Sequence, residues 1–437
     1  MTNQEILDNA PGGATHVDNG GAYFKHCRDK MMNKPIQPDF YADGKYRAFD
    51  NSRSGSSFSD NGCFNITSAH TLGWLKSLKD FKVLSEISVG DMFCGAGIGA
   101  VGAKQLGLKV AFAFDNNKYA INTYNANIEN IATLSDAKEL DIELLPYADI
   151  ITGGFPCQPF SVGGKGLGEL DPDKGNLGKI ACNIINKKKP KAFLLENVKG
   201  LTHKKNMPFF KELIGLLGVN YYVTWEIVDC SEYGVPQKRE RVFIVGIRKD
   251  LNEFFLFPKK THLQDKRTIN DSIGDIKLKD ELGYISNHQK DCGIRNDEAP
   301  YVNKIPVGGN WKNLNIDEQK AFMKKGFYSG GGRTGALHKV DPNKPAKTIL
   351  SSPLGKATAQ ILHWEGYEPR RYTVRESLRL QTVPDWFSFD DEIPLMKQYE
   401  RCSGIPTLVS YILLGEIKNI IKQAKTPKAV QSEHILY

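Results

Sequence analysis

The chain has 437 residues, a formal net charge of +8 at pH 7, 40% hydrophobic residues and 25% charged ones. That balance excludes a disordered chain, and no apolar run is long enough to span a bilayer as a helix. The excess of basic groups permits a polyanionic partner without requiring one.

At roughly 100–200 residues per domain, the length predicts two or three domains. Cysteines at 27, 63, 94, 157, 182, 230, 292 and 402 include no C-x-x-C pair, so neither a metal site nor a disulfide scaffold is expected. Reduced thiols, and a start without a basic region followed by an apolar one, predict a cytoplasmic protein with no membrane association.

Residues 1–86 carry 10 basic and 10 acidic groups and several breakers, Gly12-Gly13 and Gly20-Gly21 among them. Loops with a short helix near Ser68–Lys79 are predicted for this extension, to which no role is assigned. From residue 87 the pattern becomes apolar run, turn, then helix-length stretch. The runs are Ser88–Phe93, Val110–Phe114, Asp149–Thr152, Ala192–Leu195, Val223–Val228 and Arg241–Ile247. Helices are predicted over Lys118–Glu129 and Leu177–Lys187. Such alternation predicts an α/β, doubly wound, mostly parallel sheet over 87–248, with ligands at the carboxyl ends of its strands.

The rhythm stops near Arg248. Residues 249–368 are broken by Gly308-Gly309, Gly330-Gly331-Gly332 and prolines, and predict a small irregular inserted domain. Val374–Gln381 then reads as a helix. Apolar residues at 409, 412, 413, 417, 420 and 421 place a second helix over Thr407–Lys425. Residues 369–425 are therefore expected to return to the first sheet, leaving 426–437 as a tail.

The first strand runs into Phe93-Cys94-Gly95-Ala96-Gly97-Ile98-Gly99, and Asp115 ends the second. Glycines after a first strand let the backbone approach a ligand, and an acid about 20 residues later is placed for ribose hydroxyls. A dinucleotide enzyme has a similar outline. The G-x-G-x-G spacing lacks the pyrophosphate fingerprint, however, and favours a nucleoside cofactor such as S-adenosylmethionine. Phe93 either packs on the purine or belongs to the core.

The fourth predicted element group brings the chemistry. Cys157 follows Pro156 in the loop after Asp149–Thr152, where a thiol is positioned for reaction rather than core filling. Glu196 follows the apolar run Ala192–Leu195. Arg239 and Arg241 alternate before Val242, so their side chains share one face.

Taken in order, Pro156-Cys157-Gln158, Glu196-Asn197-Val198 and Gln237–Val242 resemble the DNA cytosine-5 methyltransferases of prokaryotic restriction–modification type. Phe93–Gly97 is similar to the first motif of that family, and Arg375-Glu376 with Arg379-Leu380-Gln381 to its ninth. The resemblance covers about 88–425. It implies a Rossmann-like methyltransferase domain using S-adenosylmethionine, with 249–368 as a target-recognition domain reading duplex DNA.

The implied chemistry begins with the Cys157 thiolate adding to carbon 6 of a flipped cytosine, so that carbon 5 can take a methyl group. Glu196 would act at ring nitrogen 3. Arg241 would fix the base oxygen and the carboxyl, and Arg239 would support the loop carrying Cys157. The resemblance places Phe93, Gly95, Gly97, Asp115, Asn116, Asp136, Pro156 and Ser403 on the cofactor. It places Gln158, Ser161, Lys174, Gln237, Arg333 and Thr348 on the substrate. Ser161–Asn176, with five glycines, suits a loop closing over DNA.

Three positions depart from the family pattern. Lys174 stands where arginine is common, and Ile98 replaces a frequent glycine. Arg401-Cys402-Ser403-Gly404-Ile405-Pro406 replaces the Gly-Asn of the tenth motif, leaving Ser403 to meet the methionine end. A monomer is expected, paired in function with a restriction endonuclease but forming no stable complex with it. A tRNA methyltransferase is the nearest alternative activity, and a DNA-binding regulator using residues 1–86 is the alternative of another class.

Overall fold

Seven strands form one sheet in the order β3-β2-β1-β4-β5-β7-β6. The strands are β1 (Ser88–Met92), β2 (Lys109–Asp115), β3 (Ala132–Leu134), β4 (Ile150–Gly153), β5 (Ala192–Val198), β6 (Tyr221–Asp229) and β7 (Glu240–Arg248). The computed structural model describes residues 86–156, 176–276, 285–288, 292–328, 335–351, 355, 360–363 and 368–425, plus the short strands His16–Val17 and Tyr23–Phe24. The chain divides into two units, Met1–Glu86 and Ile87–Tyr437. In the first, His16–Val17 and Tyr23–Phe24 pair antiparallel. The helix expected near Ser68–Lys79 lies outside the described residues.

The first five strands are parallel, and β7 runs antiparallel to both β5 and β6. Apolar runs are continuous because both faces are covered. Ala113, Ile150, Leu194 and Phe243 face one layer, and Phe112, Phe114, Ile151, Phe193 and Val242 face the other. Helices α1 (Ile98–Gln105), α2 (Lys118–Asn127) and α9 (Thr407–Lys425) pack on the first face. Helices α3 (Leu177–Lys188) and α4 (Met207–Gly218) pack on the second.

The return of the chain to the sheet is fixed by α9 lying on α1. A Cβ at Gly102 would sit 2.6 Å from the Tyr411 backbone nitrogen, so only glycine allows this approach. Thr407 Oγ1 donates to the Ile98 carbonyl at 2.9 Å and Ser410 Oγ to that of Gly99 at 2.7 Å. No helix among the described residues is long and apolar enough to cross a membrane.

Between the two halves, 249–368 first turns back along β6. Phe254 stacks on Tyr222 with ring centroids 4.3 Å apart, and Lys260 pairs with Glu226 and Glu232 at 3.2 and 2.8 Å. This covers a sheet edge that would otherwise offer unpaired backbone. The segment also holds helices α5 (Ile269–Ile273) and α6 (Ile316–Met323). Its outer part has a core of its own, including Val302, Ile305, Trp311, Leu314, Phe322 and Ile361. Phe255, Ile269, Ile273 and Ile349 instead join the core of the main sheet.

Buried arginines fasten this segment to α7 (Val374–Leu380). Arg370 grips Glu376 through two bonds of 2.6 and 2.7 Å, and Arg371 meets Glu298 at 2.6 Å. Arg375, fully buried, donates to the carbonyls of Ser286 and Phe387 at 2.9 and 2.6 Å. Removing one partner of such a pair typically costs about 3–5 kcal/mol, because the other charge stays buried. The stretch resembling the ninth motif thus clamps two regions together.

Candidate active site

Strand order reverses between β1 and β4, so the loops leaving their carboxyl ends diverge and open a crevice. A single cavity fills it, bounded by the β1–α1 turn, by Gly154-Phe155-Pro156, by Glu196, Arg239 and Arg241, and by Arg401–Ile405. Cys157 follows Pro156 directly but lies outside the described residues, as do Gln158, Ser161, Lys174 and Arg333.

The β1–α1 turn is tight. Phe93 takes φ 53°, Gly95 φ 54° and Gly97 φ 88°. A Cβ at Gly97 would meet Ile128 at 2.8 Å and Tyr124 at 2.9 Å, whereas the space beyond Gly95 is open on the side where a ligand would lie. Phe93 is partly exposed to the cavity and edge-on to Phe114, their centroids 5.7 Å apart. It therefore touches both cavity and core.

Asp115 ties the turn to the start of α2. Its Oδ2 accepts from the Gly95 nitrogen and its Oδ1 from that of Asn117, each at 3.0 Å. Asn117 in turn caps α2. Burial raises the Asp115 carboxyl above its ordinary value, while the Gly95 hydrogen bond and the Arg401 charge oppose this. Asn116 and Asp136, expected on the cofactor, are exposed and do not border the cavity. The Asp136 carboxylate accepts instead from the Lys138 nitrogen at 2.9 Å, turning its own local loop.

Asp91 had no assigned role and lies within the cavity wall. Thr152 Oγ1 donates to it at 2.7 Å. Burial pushes its carboxyl up to about 7, helped by the like charge of Asp115 and opposed by the Thr152 hydrogen bond. Arg401, at the end of α8 (Leu395–Arg401), is a second unanticipated wall residue, beside Ser403. Its Nε is buried without a hydrogen-bond partner. A glycine turn with open space, a carboxylate at the end of β2 and an orphaned guanidinium nitrogen fit a nucleoside cofactor bearing a charged tail.

The second half of the cavity follows from the antiparallel pairing of β7 with β5. Phe243 stands opposite Glu196, so Arg241, two residues earlier on the same face, reaches it diagonally. Arg241 Nε lies 3.0 Å from Glu196 Oε1 and Arg239 Nη2 lies 3.9 Å from it. Asn197 donates to the Phe155 carbonyl at 3.1 Å, fixing the backbone just before Pro156-Cys157.

Gln237, expected on the substrate, is fully buried with its amide committed inside the protein. It donates to the Leu380 carbonyl at 3.1 Å and accepts from the Ile349 nitrogen at 2.8 Å. Ala346–Lys347 pairs with Gln237–Lys238, and Thr348 Oγ1 donates to the Lys238 carbonyl at 2.8 Å. Gln237 thus positions the Thr348-Ile349 segment. Arg239 also reaches this segment, with Nη1 3.5 Å from the Ile349 carbonyl.

Residues 87–419 match the family profile described as C-5 cytosine-specific DNA methylase. The chain belongs to that family. It is an enzyme of the cytosine-5 DNA methyltransferase class and uses S-adenosylmethionine as methyl donor. Type II methyltransferase M.PspPI of Psychrobacter sp. is 34% identical over 319 residues, covering 70% of this chain and 73% of that protein. M.Eco47II of Escherichia coli is 32% identical over 342 residues, covering 76% and 79%. The solved structure of the Entamoeba histolytica methyltransferase EhMeth shares the fold, with a TM-score of 0.56 at 15% identity over 78% of this chain and 100% of that one.

For this methyltransferase, Asp115→Ala is expected to weaken cofactor binding at least about tenfold, since the turn at Gly95 loses a charge-assisted hydrogen bond. Calorimetric titration with S-adenosylmethionine checks it. An unchanged affinity would remove Asp115 from the cofactor site.

Proposed function

We propose that the chain methylates carbon 5 of one cytosine within a specific duplex DNA sequence, through a covalent bond between Cys157 and the flipped base. The observation that carries this reading is the pairing of Glu196 with Arg241 and Arg239 in the same cavity that Pro156 and the glycine turn border. One end suits a nucleoside cofactor and the other a polar planar ring, and Pro156, the residue before Cys157, borders the same cavity.

In the proposed sequence the Cys157 thiolate bonds to carbon 6, while Glu196 supplies a proton or hydrogen bond to ring nitrogen 3. Carbon 5 thereby becomes nucleophilic and takes the methyl group that S-adenosylmethionine carries on its sulfonium. The sulfonium carbon–sulfur bond breaks as the new carbon–carbon bond forms. A base then removes the carbon-5 proton, the carbon 6–sulfur bond breaks to regenerate the thiolate, and the proton given to ring nitrogen 3 returns to Glu196. Arg241 holds the Glu196 carboxyl and faces the base oxygen. Arg239 braces Glu196 against the Ile349 carbonyl.

Extruding a cytosine from its stack costs a few kcal/mol, which contacts from 161–176 and 249–368 offset. The latter segment is proposed as the target-recognition domain. Relatives named as Type II methyltransferases support a protective role beside a restriction endonuclease. In the proposed reading the chain acts as a cytoplasmic monomer and forms no stable complex with the nuclease.

A duplex oligonucleotide containing 5-fluorocytosine at the target position tests the reading. Fluorine cannot leave as a proton does, so the adduct is trapped. The expected result is a stable covalent complex formed only with S-adenosylmethionine present, its modified peptide containing Cys157. Absence of the adduct, or its formation on tRNA but not duplex DNA, rejects the proposal.

A further inference from the structure

We propose that Arg401, on the strip 401–406 that departs from the Gly-Asn of the family's tenth motif, holds the carboxylate of the cofactor's methionine end. The inference rests on the S-adenosylmethionine reading of the cavity and adds one residue to it.

Four observations converge on Arg401. It borders the cavity together with Ser403, Gly404 and Ile405, on the strip that departs from the family pattern. That strip packs on the first turn of α1. A Cβ at Gly404 would lie 3.5 Å from Ile98 Cβ, and one at Gly99 3.5 Å from Ile405 Cβ. An anion beside the strip therefore also faces the amino end of an eight-residue helix, where backbone N–H groups and the helix dipole favour negative charge.

Second, the Arg401 guanidinium is not consumed by the protein. Its Nε is buried without a hydrogen-bond partner, and no carboxylate lies within 4.0 Å of it among the described residues. Asp115, the acid whose carboxyl its charge influences, already has both oxygens engaged by backbone nitrogens. A buried donor left unmatched is costly, and guanidinium matches a carboxylate in shape and charge.

Third, the carboxyl and guanidinium groups of the wall outside the Glu196 cluster are one acid and one base. Glu196 is engaged by Arg241 and Arg239, so Asp91 and Arg401 remain. An ammonium and a carboxylate on one carbon, as in the methionine tail, complement that pair. Fourth, Arg401 is the last residue of α8, and the turn behind it is closed by the Cys402 nitrogen donating to the Tyr399 carbonyl at 3.2 Å.

The test compares two ligands on the full-length protein by calorimetry, S-adenosylmethionine and its decarboxylated analogue, S-adenosyl-3-methylthiopropylamine. The wild type should bind S-adenosylmethionine about 10- to 100-fold more tightly than the analogue. Arg401→Met should lose about that factor for S-adenosylmethionine while binding the analogue as the wild type does. Arg401→Lys, which keeps the charge, should retain part of the discrimination.

Equal binding of both ligands by the wild type overturns the proposal without needing any variant. So does an Arg401→Met protein that binds S-adenosylmethionine normally, or one that weakens both ligands alike, as a loop defect would. A wild type that binds neither ligand rejects the cofactor assignment itself, and the role of Arg401 with it.

Discussion

Replacing Cys157 by serine is expected to reduce methyl transfer by at least about 10⁴-fold while leaving S-adenosylmethionine affinity within about twofold. The reason is the absence of help at the site. Among the described residues no histidine borders the cavity, so nothing there matches the general base that activates a serine hydroxyl elsewhere. A cysteine needs less help, because a thiolate is accessible near neutral pH without a paired base. The groups proposed to hold the cofactor lie on the β1–α1 turn, which Asp115 braces through the Gly95 nitrogen, and on the Arg401–Ile405 strip, and the substitution alters none of them. Single-turnover transfer of labelled methyl groups, paired with calorimetry, separates the two effects. Turnover near the wild-type rate would exclude covalent addition through Cys157.

The division of labour in the cavity follows from sheet topology more than from any single motif. Reversal of strand order between β1 and β4 sends the Gly95 turn one way and the Gly154–Pro156 segment the other. The antiparallel β7 then delivers Arg239 and Arg241 from the beginning of a strand to the carboxyl end of β5, where Glu196 stands. Had β7 been parallel, both arginines would lie at the far end of the sheet.

Most of this was legible in the sequence. Continuous apolar runs marked six of the seven strands because layers on both faces bury them. The missed strand, Ala132–Leu134, has three residues of which two are exposed, so it leaves no apolar run to find. Thr407–Lys425 was readable to the residue, since one face packs on the sheet and α1. The direction of β7 had a signal that strand pattern alone does not use. Only ten residues separate Asp229 from Glu240, too few for the crossover a parallel pair requires.

Site residues divide in the same way. Glu196, Arg239, Arg241, Asp115 and Gly95 were found because they sit at strand ends, where position along the chain predicts position in space. Gln237 has the same motif neighbours, yet its amide turns inward to hold Ile349, a partner 112 residues away that no local pattern reveals. Arg401 was hidden for the opposite reason. It lies in a stretch that departs from the family pattern, and only the cavity shows which way its side chain faces. Lys187, Lys188 and Lys189 end α3, and Lys187 and Lys188 bond to Glu143 there, as expected of a solvated helix terminus.

Glu196→Gln should lower kcat by about 10²–10⁴-fold, the usual range for losing a positioned proton donor, with cofactor affinity unchanged. Glutamine keeps the length of the side chain and can still lie beside Arg241, but it cannot take up a proton and pass it to ring nitrogen 3. It also removes the negative charge that two largely buried guanidiniums share, at 3.0 and 3.9 Å. Breaking a buried pair of this kind typically destabilises by about 3–5 kcal/mol, so the melting temperature should fall as well. The two effects are separable. If Glu196 acts only by holding Arg241, the variant should form the 5-fluorocytosine adduct at the normal rate once folded. If it activates the ring, thiolate addition itself slows, and the trapped complex accumulates slowly at saturating DNA and cofactor. Normal adduct formation by folded Glu196→Gln protein would remove Glu196 from the chemistry and leave it a support for Arg241.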